Sequence, residues 1–127
     1  MPELTTVDGD MIMFTADSVI AIADHDDDTG TAVTCVYGVT QAMLHIAEPV
    51  ETFLYRVGIT QAFAKLTRPN GLPVWIRGNA VLSIRAPAVG EYAGEGKTVI
   101  FTSAITQDVK ETMPTVAHLI DAHGGAL

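Results

Sequence analysis

The chain has 127 residues, 48% of them apolar, one cysteine and a formal net charge of −8. This is one domain's worth of chain with enough apolar content for a core, which argues against disorder and against a disulfide framework. The acidic balance argues against general nucleic-acid binding, which works by neutralising phosphates with Lys and Arg.

No apolar run reaches the ~18 residues of a membrane span. The opening MPELTTVDGD is acidic and poor in apolar residues, unlike a secretory leader. Cys35 stands alone in an apolar stretch, where a thiol acts as a small core residue. Together these point to a reducing, cytoplasmic setting. The charge is unevenly spread. Residues 1–62 hold ten acids and one base (Arg56), a net of −9, whereas residues 63–127 hold six bases and five acids, a net of +1.

The chain reads as a tandem repeat. Leu4-Thr5 followed by Asp8-Gly9 matches Leu66-Thr67 followed by Asn70-Gly71, an offset of 62 that also aligns Val19 with Val81 and Ile22 with Ile84. Past a loop the offset becomes 66, pairing Val33 with Val99 and Thr40-Gln41 with Thr106-Gln107. Near the end it is 65, pairing Pro49 with Pro114 and Leu54 with Leu119. The boundaries predicted are 1–58 for repeat one and 59–127 for repeat two, within a single domain.

Each repeat is predicted to begin with strands at 2–7, 11–15 and 18–24, or 62–68, 73–77 and 81–86. The Asp-Gly and Asn-Gly dipeptides make the first turns. A loop follows, Asp24–Gly30 or Pro87–Gly96, then β-branched strands at 31–37 and 97–103. Fifth strands are expected near 41–47 and 106–111. Each repeat then reaches a proline suited to a first helical turn. Val50, Phe53, Leu54 and Val57, or Val116, Leu119 and Ile120, follow at helical spacing. The expected fold class is α+β, mostly β: two five-stranded antiparallel meander or barrel-like units, each closed by a short helix.

The second repeat resembles the FlbD/SwrD family of small flagellar and swarming-motility proteins. The resemblance covers residues 63–122. Leu66, Thr67, Arg68, Asn70 and Gly71 match the family's L-T-R-x-N-G start. Asn79, Ile84, Thr98, Val99, Ile100, Val109 and Glu111 match later positions. The resemblance implies a small β fold without catalytic residues and an accessory role at the flagellum. The chain departs from the family in its tandem fusion and its ten-residue loop at 87–96. A bacterial motility accessory and a phage-encoded protein are the two settings it leaves open.

In DHDDDTG, Asp24, Asp26 and Asp28 alternate as calcium ligands do. The glycine falls at the seventh position rather than the sixth, and the twelfth is Cys35 rather than Glu, so a solvated acidic loop is expected. His25, His45, His118 and His123 lack zinc-site spacing. Ser18, Ser83 and Ser103 have no G-x-S-x-G elbow. Gly96-Lys97-Thr98 has Glu91 where a phosphate loop needs its first glycine. No cofactor or metal and no enzymatic activity are expected.

The binding candidate is a diffuse group. With Val74 and Ile76 facing the core, Trp75 and Arg77 are expected on the opposite face, with Arg68, Arg85, Tyr92 and Lys97 nearby. Aromatic and basic residues together suit a protein interface or a small anionic, nucleotide-derived ligand. The equivalent outer-facing positions of repeat one are Met11 and Met13, which are also apolar, so these strands are apolar on both faces and want both covered. The function expected is a non-catalytic, homo-oligomeric assembly or adaptor protein. The alternative is a sponge of the phage type that sequesters a small phosphorylated signalling molecule.

Overall fold

In the computed structural model the described residues are 3–26, 32–40, 43–46, 48–86 and 97–127; of 24–26, 32 and 33 the backbone alone is described. The two predicted turns are built alike. One joins β1 (Glu3–Thr5) to β2 (Met11–Met13), the other β6 (Phe63–Thr67) to β7 (Pro73–Arg77). Gly9 at φ 91 and Gly71 at φ 88 occupy the left-handed region that a β-carbon disfavours. Their N–H groups donate to the carbonyls of Thr6 and Arg68, each at 2.9 Å.

Strand β2 leads into a 3₁₀ turn at Ala16–Ser18, then β3 (Ala21–Asp26), β4 (Ala32–Tyr37), β5 (Leu44–Ile46) and helix α1 (Val50–Val57). After a 3₁₀ turn at Thr60–Ala62 the same order of elements recurs. It runs β6, β7, a 3₁₀ turn at Gly78–Ala80, β8 (Val81–Arg85), β9 (Thr98–Thr102), β10 (Thr106–Val109) and helix α2 (Met113–Ala122).

Among the described residues the fold is β-rich with two helices, and its antiparallel sheets are all open. They are β1-β2, β5-β4-β3-β7-β6 and β10-β9-β8. This strand order does not by itself set the two expected five-stranded units apart as separate sheets, and none of the three sheets closes into a barrel among the described residues. The five-stranded sheet draws on both halves of the chain because β3 pairs with β7, in the register Ala21↔Ile76, Ile22↔Trp75 and Ala23↔Val74.

That pairing separates two cores. Leu4, Phe14, Ile22, Val36, Phe53 and Trp75 belong to the first, and Ala21, Ala23, Val74, Ile76, Ile100 and Ile120 to the second. Neighbouring residues of β3 and β7 thus point into different cores, as the two-residue period of a strand requires. The chain itself covers both faces of these strands. Helix α1 buries Val50, Phe53 and Leu54, and α2 buries Val116 and Ile120, each set at i, i+3 or i+4 spacing. Gly58 at φ 78 ends α1, and its N–H and that of Ile59 donate to the Leu54 carbonyl at 3.0 and 3.2 Å. Among the described residues no helix is long and apolar enough to cross a membrane.

Candidate functional site

The alternation along β7 is as expected, but the face carrying Trp75 and Arg77 is not an outer one. Trp75 is 7% exposed and Arg77 6%. The first half of the chain packs over that face, so Trp75 joins the first core. The Lys65 ammonium lies 5.3 Å from the Trp75 ring centroid.

Arg77 is a tie between the halves. Its Nε donates to the Val19 carbonyl and its Nη2 to the Ala16 carbonyl, each at 2.7 Å. Its guanidinium lies 4.9 Å from the Phe63 ring centroid. These bonds hold the 3₁₀ turn that leads into β3, and the backbone N–H of Arg77 donates to the Ile20 carbonyl at 2.8 Å. Burial lowers the Arg77 pKa from its ordinary range and Asp17 opposes the shift; a guanidinium keeps its charge at neutral pH regardless.

The other predicted residues are spread out. Arg68 is half-buried in the turn between β6 and β7. Arg85 is exposed on β8, its guanidinium 5.3 Å from the Phe101 ring centroid. Lys97 is exposed just before β9. Tyr92 and most of the Asp24–Gly30 loop lie outside the described residues. Among the described residues no three His, Cys, Asp or Glu side chains gather as a metal site would need.

A smaller open cleft of about 220 Å³ lies beside Trp75 and Lys65, and two other features stand out as places for a partner or ligand. One is an open cleft of about 530 Å³, lined by Tyr37, Val39 and Met43 from the first half and Ser103 and Ala104 from the second. Of these the sequence marks only Ser103, as a serine without a nucleophile elbow, because the meeting of the group depends on how the halves pack. The other is a set of large apolar side chains left in solvent on strands. Met11 is 67% exposed, Met13 59% and Leu82 69%. The two methionines were visible in the sequence as outward-facing apolar residues.

Tyr37 supplies a pH-dependent prediction. Burial raises the pKa of its hydroxyl above the ordinary 10.0, Cys35 adds to the rise and Arg68 opposes it. A group that is harder to ionise when folded leaves stability intact below its unfolded pKa and erodes it above. Stability should therefore fall as pH climbs past 10.0. In urea melts across that range Tyr37→Phe should show a shallower loss; an identical slope would remove Tyr37 as the cause.

Comparison with protein-family models, curated proteins and solved structures found no match.

Proposed function

We propose that this chain is a non-catalytic assembly protein that works by associating with copies of itself. The observation that carries this is the exposure of Met11, Met13 and Leu82 on strands β2 and β8. A soluble chain hides large apolar side chains where it can, and those left out on sheet strands commonly mark interaction surfaces. Methionine is adaptable enough to fill an imperfect partner surface.

Two further points support the reading. The recurring order of elements and the 62-residue offset fit a tandem duplication of one five-stranded module with a closing helix. The likeness of residues 63–122 to the FlbD/SwrD pattern implies a small accessory module rather than an enzyme.

A second reading, sequestration of a small phosphorylated molecule, rests on the cleft at the seam. The assembly reading is the stronger one, because none of Arg68, Trp75, Arg77, Arg85 and Lys97 lines that cleft.

Native mass spectrometry of the purified chain separates the two. Assembly predicts a discrete oligomer with no added mass. Sequestration predicts a few hundred daltons retained per chain or per interface. A bare monomer of 13.5 kDa would contradict both.

A further inference from the structure

We propose that copies of this chain join head to tail, the free edge of β2 in one copy pairing antiparallel with the free edge of β8 in the next. This rests on the self-association reading above and specifies its interface.

The argument begins with the order of strands. In the first half, β2 pairs with β1, a bridge between Thr6 and Ile46 carries β1 to β5, and β5, β4 and β3 follow. In the second half, β7 pairs with β6, the Lys110 N–H donates to the Thr67 carbonyl at 2.8 Å beside β10, and β10, β9 and β8 follow. Both halves therefore lay out their strands as second, first, fifth, fourth, third. The halves are joined by the third strand of one (β3) and the second strand of the other (β7). The equivalent strands left over are β8 and β2. Each has one edge that pairs with no strand among the described residues. Such an edge presents a row of backbone donors and acceptors ready for another strand.

The repeat offset of 62 carries the register across. Ala21↔Ile76, Ile22↔Trp75 and Ala23↔Val74 become Ser83↔Phe14, Ile84↔Met13 and Arg85↔Ile12 of the neighbouring copy.

Exposure follows the same logic. Where the joint is made within the chain, Ala21 and Ile22 are fully buried and Trp75 is 7% exposed. At the unmade joint, Met13, the equivalent of Trp75, is 59% exposed, and Ser83 and Arg85, the equivalents of Ala21 and Ala23, are exposed. Charge agrees as well. The β2 end belongs to the half with a net charge of −9 and is flanked by exposed Asp10, while the β8 end carries Arg85 in the half with +1. A contact between two different surfaces of one chain propagates from copy to copy and closes as a ring when the rotation allows.

The test is disulfide trapping. Met13→Cys and Ile84→Cys are made as separate variants and co-expressed; the native Cys35 is buried. Mild oxidation should link the two variants into a covalent dimer, and neither variant expressed alone should link. Met13→Glu, at an exposed position that leaves the fold intact, should in addition reduce the native mass to that of a monomer, with an unchanged circular dichroism spectrum as the check. Oligomers that do not link, or whose mass survives Met13→Glu, would overturn the β2–β8 pairing and leave self-association standing. Met13→Cys linking to itself would overturn it in favour of a symmetric β2–β2 contact. A wild-type monomer would overturn self-association, and this pairing with it.

Discussion

Arg77→Ala should cost about 3 kcal/mol of folding stability and lower the melting temperature by roughly 10 °C. Arg77 is 6% exposed, and its guanidinium donates to the Val19 and Ala16 carbonyls at 2.7 Å each. Alanine would leave both carbonyls without these bonds, the Val19 carbonyl at a buried position and the Ala16 carbonyl at a part-buried one, and would strip the cation from the face of Phe63. Arg77→Lys should recover only part of the loss, because an ammonium is a point charge and cannot reproduce the two-armed geometry. A melting temperature unchanged in Arg77→Ala would show that the residue is not structural, and would return it to the ligand role that its neighbour Trp75 suggests in the sequence.

Phe53→Ala should cost more, about 3–5 kcal/mol, as deletion of a buried aromatic ring does. Phe53 is fully buried where α1 meets the first core. Its ring stacks on Phe14 with centroids 6.0 Å apart and planes at 21°, and the Arg56 guanidinium lies 5.7 Å from its centroid. Helix α1 has eight residues, too few to be stable in water by itself, so its anchoring depends on this face. Tyr55→Ala on the same helix is the control: at 86% exposure it should change stability by less than about 0.5 kcal/mol. Urea melts of both variants check the pair; equal effects would contradict the assignment of α1's buried face.

Much of the local structure could be read from the sequence, because it follows from local chemistry. The Asp8-Gly9 and Asn70-Gly71 turns lie where expected, with both glycines in the left-handed region. The helical spacing of Val50, Phe53 and Leu54 marked a buried face. The 3₁₀ turns at Ala16–Ser18 and Gly78–Ala80 were not foreseen. Accordingly the strand expected from 18 begins at Ala21.

Long-range structure was less legible. The alternation on β7 put Val74 and Ile76 on one face and Trp75 and Arg77 on the other, but not what covers the second face. That cover is the first half of the chain, brought there by the β3–β7 pairing. No local signal distinguishes a Trp-Arg pair facing solvent from one facing a second core, since Arg is tolerated inside when backbone carbonyls receive it. The same gap explains the candidate site. Met11 and Met13 could be seen as outward-facing apolar residues, whereas Leu82 draws notice only because β8 is the end strand of its sheet among the described residues.

Self-association is the central claim, and sedimentation equilibrium of the wild-type chain over a broad range of concentrations tests it most directly. A mass that settles at a whole-number multiple of 13.5 kDa, twofold or greater, is the predicted result. A mass of 13.5 kDa at every concentration would contradict it, and the exposed methionines of β2 would then need another partner.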